Sequence, residues 1–437
     1  MTDLPSCIVI LEKNGKKYTK YVKHPRITDL ETPKKPIFDT VISQGTLATT
    51  VKVNNNHKIT TIARIGDFVL EGPIMTTIGL DVGTKTIVLA YKHKDESVGI
   101  IYEINGYWLF ERPSTFIENM LNDPTKKRSD GTARPARWIK LPSTDQICVL
   151  GQDGEEFAYA NNGTLLRPMA EGGITPDEES MTVLSSIVHG LLETAEKDLG
   201  SFDKTINICY CTTAPAVNKE SNIDYHKKVL DLIITNYKTK SKISLNNVRE
   251  SHAIVINDSP DGTGIGISWG AGTVTVSYVK YGVEIFSFCW VGSGDWIDTQ
   301  VAMRHGYDTN ASLVRKKTAR ETPTTVCKRK HDIDLTLSKE PQDRVGFDIV
   351  LHYGVLMDQV INGIIHGFNE HAVDARIEEG INVYMAGGTC SPNGFVERFD
   401  SCFRTKDLPF VLGTIAKSES PLFSVARGCL KAAEMNI

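Results

Sequence analysis

The sequence predicts an α/β protein in which a β-rich N-terminal extension precedes two related domains. Three observations predict it. Strand and helix patterns alternate from Ile78 onward, one strand–turn–strand stretch occurs twice, and the first seventy-odd residues read as hairpins. The 437 residues carry 49 Lys+Arg against 53 Asp+Glu, a formal net charge of −4. That balance excludes a strongly basic polyanion binder, so no nucleic-acid partner is expected. Hydrophobic residues make up 41% and charged residues 23%, the proportions of a globular chain long enough for two or three cores. No run of 18 apolar residues occurs, and Cys7 to Leu11 is too short for a signal-peptide core; the expected location is the cytoplasm. The nine cysteines are scattered. The nearest pair, Cys209 and Cys211, shares one face of a strand and reads as small buried apolar residues, with no metal-ligand spacing.

In the extension, Ile8-Val9-Ile10-Leu11 and Tyr18 to Val22 flank Asn14-Gly15, a strong hairpin signal. Leu47 to Val53 and Ile59 to Ile65 flank a second turn at Asn54-Asn55-Asn56-His57. Pro25, Pro33 and Pro36 separate the pairs, and Gly72-Pro73 closes a region of about four strands. Such a region is either extra sheet or a docking module for a protein partner. Further on, Met181 to Leu199, Tyr225 to Tyr237 and Val355 to His366 have apolar residues at helical spacing, and Ile206 to Cys211 reads as a strand. Lys126-Lys127-Arg128 to Arg137-Trp138, with Asp123 and Asp130 nearby, reads as a solvated loop.

The repeat pairs Ile78–Tyr91 with Ile265–Tyr278, 187 positions on, with five identities in fourteen. Both stretches read as strand, Gly-rich turn, strand, and two such tips facing each other make a cleft. Gly-rich turns let backbone N–H groups approach an anion closely. Asp81, just before the first turn, suits a carboxylate that holds hydrated Mg²⁺ at phosphates. Together these point to a nucleoside triphosphate gripped from two sides. Three rival motifs fail on context. Gly79 to Thr86 is one residue short of a P-loop and leads into a strand. Gly262, Gly264 and Gly266 are too evenly spaced for a dinucleotide fingerprint. Gly266-Ile267-Ser268-Trp269-Gly270 has the letters of a hydrolase nucleophile elbow, but Val274 to Val279 follows as a strand where the elbow needs a helix.

These residues resemble the actin, heat-shock-chaperone and sugar-kinase superfamily, and most of all its bacterial actin branch, the MreB-like proteins. Ile78 to Thr86 is similar to the family's first phosphate motif, and Glu111-Arg112-Pro113-Ser114 to the Pro-Ser after its first hairpins. Leu166 to Ile174 resembles the stretch that enters the interdomain helix, and Arg249 to Ala253 falls at the family's Glu-Pro-x-Ala. Gly292 to Asp295 with Asp298, Tyr384 to Thr389, and Pro421 to Gly428 resemble the second hairpin's sequel, the adenosine motif and the closing helix. The resemblance covers Ile78 to Ala433, about four-fifths of the chain.

The resemblance implies two ribonuclease-H-like actin-fold domains around a nucleotide cleft that holds ATP or ADP with Mg²⁺. The implied boundaries are 76–200 for the first domain, with an insert at about 120–140, and 201–437 for the second, its closing helix at about 421–434 returning to the first. It implies that Gly83, Thr84 and Lys85 face the phosphates from one side, and Gly270, Ala271, Gly272 and Thr273 from the other. Gly387, Gly388 and Thr389 would meet the adenosine, with Glu321 near the base. Asp81 would anchor Mg²⁺ through water, and Glu250 would orient the attacking water. Ser268 departs from the pattern by replacing the usual Asp, which implies slow hydrolysis, and Ser251 replaces the usual Pro. The implied activity is that of a filament-forming cytoskeletal ATPase that associates with itself. The alternatives are a monomeric chaperone-like nucleotide sensor that engages a partner through its N-terminal region, and a small-molecule kinase. MreB relatives often attach to membrane through an amphipathic N-terminus; strands stand there instead, so membrane attachment is not expected.

Overall fold

The computed structural model describes residues 75–435, apart from 129–130, 162, 221–222, 312–318, 320, 342 and 372–379, together with five strands within residues 7–64. The chain divides into two units, Met1–Pro73 and Ile74–Ile437. In the first, Cys7–Lys13 pairs antiparallel with Lys16–Val22, Lys13 standing opposite Lys16. Phe38–Ser43, Thr46–Val53 and His57–Arg64 form a three-stranded antiparallel sheet. Phe38–Ser43 is a strand beyond the four the sequence suggests; its Phe-Asp-Thr-Val-Ile-Ser lacks strict alternation. The predicted turn residues Asn14-Gly15 and Asn54-Asn55-Asn56, the separating Pro25, Pro33 and Pro36, and Gly72-Pro73 lie outside the described residues.

Two five-stranded sheets of one plan build the second unit. In the first sheet, Thr76–Val82 has antiparallel Thr86–Lys92 and then Val98–Ile104 on one side. On its other side lie parallel Thr205–Thr212 and then Lys242–Arg249. In the second sheet, Gly264–Trp269 has antiparallel Thr273–Lys280 and Val283–Val291 on one side. Parallel Ile381–Ala386 and Leu412–Lys417 lie on the other. The repeat legible over fourteen residues therefore extends to the whole topology. Central strands such as Gly264–Trp269 are buried at every position, because helices cover both faces.

Helices Glu178–Asp198 and Ile223–Thr235 bury the apolar stripes that predict them. Asp177 caps the first by accepting from the Ser180 N–H at 2.7 Å. The third helix runs Arg344–Glu370, starting about three turns earlier than Val355. Asp348 and His352 interrupt its apolar pattern, although both are buried. Asp348 is paired with Arg304 and His305. The predicted solvated loop needs a correction at Arg128. Its side chain is buried beside Asp153, 3.8 Å away, because Asp153 also takes Arg134 at 2.8 Å and ties the insert to its small sheet.

The two halves exchange helices. Glu250–Asp258 follows the last strand of the first sheet but packs on the second, where a Cβ on Gly266 would lie 2.0 Å from the Ser251 carbonyl oxygen. Ser424–Met435 follows the last strand of the second sheet but packs on the first, where a Cβ on Gly79 would lie 2.1 Å from the Ala426 carbonyl oxygen. Gly79 and Gly266 are partners in the repeat, so one repeated glycine seats each helix. Small residues fill the junction between these helices, among them Cys209, Cys211, Ala253, Cys429 and Ala432. This is the buried apolar role expected for the cysteine pair. A separate core lies on each side of the junction.

Candidate functional site

The two Gly-rich turns face each other across a cavity of about 230 Å³. Both are built alike: the Gly83 N–H donates to the Thr86 carbonyl at 3.1 Å, and the Gly270 N–H to the Thr273 carbonyl at 3.0 Å. Neither turn makes the return bond to its glycine carbonyl. Among the described residues, the N–H groups of Thr84, Lys85, Ala271 and Gly272 at the tips have no protein partner. Thr84 and Gly272 are buried. A Cβ on Gly272 would stand 2.8 Å from both the Thr84 hydroxyl and the Gly172 nitrogen, so the tips nearly touch. Buried N–H groups without partners are uncommon. Here they line a cavity from both sides, which is the geometry of an anion nest.

The carboxylates stand at the carboxyl ends of the first sheet's strands, where ligands of α/β sheets gather. Asp81 is the next-to-last residue of the central strand, and its Oδ1 accepts from the Cys211 thiol at 3.2 Å. Burial pushes its pKa up to about 6, with the thiol bond pulling the other way. Glu250 starts the exchanged helix, and burial followed by the charge of Asp81 pushes it up to about 7. Hydroxyls of Ser268 and Thr275 hydrogen-bond it and oppose that rise. Ser268 lines the same cavity and is buried; it lies mid-ladder between Thr275 and Ala386, so it is not in an elbow. A carboxylate there would face two that already resist ionisation.

Gly387 adopts φ 104°, and a Cβ on it would lie 2.2 Å from the Trp269 carbonyl oxygen, so only glycine fits. Gly387, Gly388 and Thr389 line the cavity, and the Thr389 hydroxyl donates to the Gly270 carbonyl at 2.7 Å. Glu321 lies off the cavity wall. It accepts from the Thr325 hydroxyl at 2.9 Å at the start of helix Pro323–Asp332 and pairs with Arg329. That helix sends Cys327, Lys330 and His331 to the cavity instead, three residues the sequence analysis did not single out. Lys330 is buried, bonded to Asp298 at 2.8 Å and to the Gly294 carbonyl at 2.6 Å. Lys85 reaches the Cys327 sulfur at 3.2 Å, and Arg167 meets Asp295 at 2.7 Å, so both bonds span the two halves. Among the described residues, no three His, Cys, Asp or Glu are grouped to hold a metal, and no helix is long and apolar enough to cross a membrane.

Comparison with known proteins gives this geometry a family. The model of the family described as Volactin matches residues 75–433. No curated protein matches the sequence. Among solved structures, the MamK double helical filament superposes with a TM-score of 0.56 at 15% identity, over 82% of this chain and 99% of the other. MreB5 of Spiroplasma citri bound to ADP gives 0.54 at 13% identity, over 83% of this chain and 99% of that one. The same protein bound to AMPPNP gives 0.54 at 14% identity, over 84% and 98%. At such identities the likeness is one of fold. It is the actin-like ATPase fold of the bacterial actins, as the sequence motifs suggest.

Proposed function

The chain belongs to the Volactin family and has an actin-like ATPase fold, and from that premise we propose that it binds Mg-ATP in the cleft and assembles into nucleotide-dependent filaments. The observation that carries this reading is the pair of facing turns whose tip N–H groups have no partner among the described residues. In this reading Gly83, Thr84 and Lys85 hold the phosphates from one half and Gly270, Ala271, Gly272 and Thr273 from the other. Gly387, Gly388 and Thr389 border the adenosine. In the same reading Asp81 would be the protein anchor of a Mg²⁺ bound chiefly by phosphate and water. Bound there, the ion would neutralise charge on the phosphates.

Glu250 is the one carboxylate in the cleft that is both separate from Asp81 and close enough to feel its charge. Poised near neutrality, it orients and polarises the attacking water once ionised. Ser268 keeps that carboxylate in place through a hydroxyl and adds no charge of its own. Losing one electrostatic group of this kind costs roughly 10²–10³ in rate, so hydrolysis is slow. A bound nucleotide touches both halves, so its state biases their closure, and closure is what a neighbouring subunit would sense. MamK, solved as a double helical filament, supplies the precedent for assembly, and MreB5, solved with ADP and with AMPPNP, the precedent for a bound nucleotide.

High-speed sedimentation with Mg-ATP, Mg-ADP and no nucleotide tests the proposal. The expected result is a pellet that depends on ATP. A protein that binds ATP yet stays in the supernatant in all three conditions would be a monomeric sensor or kinase instead.

A further inference from the structure

The glycine carbonyls of the two turns are held in a way that the repeat makes intelligible. In the first half, the Asn105 amide Nδ2 donates to the Gly83 carbonyl at 2.8 Å, and the Asn105 backbone N–H donates to the Lys85 carbonyl at 2.9 Å. In the second half, the Gly292 N–H donates to the Gly272 carbonyl at 2.9 Å, and the neighbouring Ser293 hydroxyl donates to the Gly270 carbonyl at 2.7 Å. Asn105 and Gly292 are separated by the same 187 positions as Gly83 and Gly270, and as Lys85 and Gly272. One backbone bond is therefore conserved between the halves, while the side-chain bond is made by different chemistry at the residue itself or the next. Thr389 adds a second donor to the Gly270 carbonyl.

We propose that Asn105 and Ser293 are positioning residues that aim the Thr84 and Ala271 N–H groups at the turn tips into the cleft. A trans peptide is planar, with its C=O and N–H pointing opposite ways. Holding the Gly83 oxygen toward Asn105 therefore turns the Thr84 N–H away from it, and holding the Gly270 oxygen toward Ser293 does the same for Ala271. Without these donors the peptide after each glycine is free to rotate, and a rotated peptide would present its oxygen to the anion in place of its N–H. Asn105 and Ser293 are both fully buried, and among the described residues the Asn105 Oδ1 has no hydrogen-bond partner. Keeping an amide whose other end is unsatisfied costs stability, which suits a residue retained for what its donor aims.

This inference rests on the proposed reading of the cleft, because aiming matters only if an anion binds there. Its test compares ATP with adenosine, which lacks phosphates, by titration calorimetry on wild type, Asn105→Ala, Ser293→Ala and Ser293→Thr. The expected result is that Asn105→Ala weakens ATP about tenfold, as for one hydrogen bond's worth of orientation, that Ser293→Ala weakens it severalfold, and that both leave adenosine unchanged. Ser293→Thr keeps the donor and restores ATP affinity. Ser293→Ala has the milder loss of the two, since Thr389 still holds its carbonyl. If both alanine variants bind ATP as wild type does, or lose ATP and adenosine equally, the positioning role is overturned while the nucleotide reading stands. If wild type binds neither ligand, both fall. Should Asn105→Ala fail to fold, the Ser293 pair decides the question alone.

Discussion

The two halves of the second unit agree down to single hydrogen bonds, and they differ where chemistry would occur. Each has a five-stranded sheet of one plan, a repeated glycine that seats a helix, and a turn with the same Gly-to-Thr bond. Yet the central strand carries Asp81 next to its end in the first half, while the second half has Ser268 at the matching position. Glu250 also comes from the first half's strand order, at the start of the helix it lends to the second. In the proposed reading both turns grip the anion, while Asp81 and Glu250, the acids beside Ser268, come from one side; Asp295 and Asp298 line the cavity from the other and are paired with Arg167 and Lys330. An acid at the position of Ser268 would repel Asp81 and Glu250 in a buried cleft.

The comparison breaks most visibly at Glu250. Glu250→Ala is expected to lower ATP turnover by roughly 10²–10³ with nucleotide affinity nearly intact. Phosphate release and equilibrium binding on the same preparation check both parts, and equal turnover removes Glu250 from the mechanism. The shared scaffold breaks at the helix seats. Gly79→Ala and Gly266→Ala each put a methyl against a helix backbone, and each should cost about 1–3 kcal/mol in urea unfolding, occasionally more. Gly190, inside helix Glu178–Asp198 with nothing within 4 Å of its Cβ, should gain about 0.5–1 kcal/mol as alanine.

Restoring symmetry sharpens the difference. Ser268→Asp adds a carboxylate beside Asp81 and Glu250 and should lower the melting temperature of the nucleotide-free protein at pH 8, by roughly 1–3 kcal/mol of stability, with Mg-ATP reversing the loss. The acids also set a pH dependence. Both folded pKa values, about 6 for Asp81 and about 7 for Glu250, lie above the ordinary 3.8 and 4.5. The folded state therefore holds these protons longer than the unfolded chain, and stability falls as pH rises from about 4 to about 7. Glu250→Gln should match wild type in stability at pH 4 and exceed it at pH 8, by up to about 3 kcal/mol for a rise from 4.5 to about 7; a wild-type advantage at pH 8 would contradict the assignment. The smallest effect belongs to the tie across the cleft. Arg167 and Asp295 are both partly exposed, so Arg167→Ala should cost under about 1 kcal/mol.

Much of this was legible because it is local. The Gly-x-x-Thr turns, Asp81 and the strand that follows each turn are fixed by spacing along a few residues. The helices over Glu178–Asp198 and Ile223–Thr235 are fixed by an apolar stripe. What stayed hidden depends on distant packing. Cys327, Lys330 and His331 reach the cavity from a helix whose sequence shows only its capping box at Thr322. The helix exchange could not be read from the repeated Gly79 and Gly266, since a glycine in a strand does not name what approaches it. Buried Arg128 looked like solvated charge because its partner Asp153 lies far along the chain. Asn105 had a signal that went unused: extending the repeat alignment to Gly292 would have drawn attention to it.

The central claim is that both halves grip one nucleotide. Calorimetric titration of Mg-ATP into wild type and Gly272→Ala tests it most directly, because a methyl on Gly272 would meet both Thr84 and Gly172 of the opposite half. The account predicts one site per chain in wild type and clearly weakened binding in the variant. Absence of saturable binding to wild type, or equal affinity in the two proteins, would contradict it.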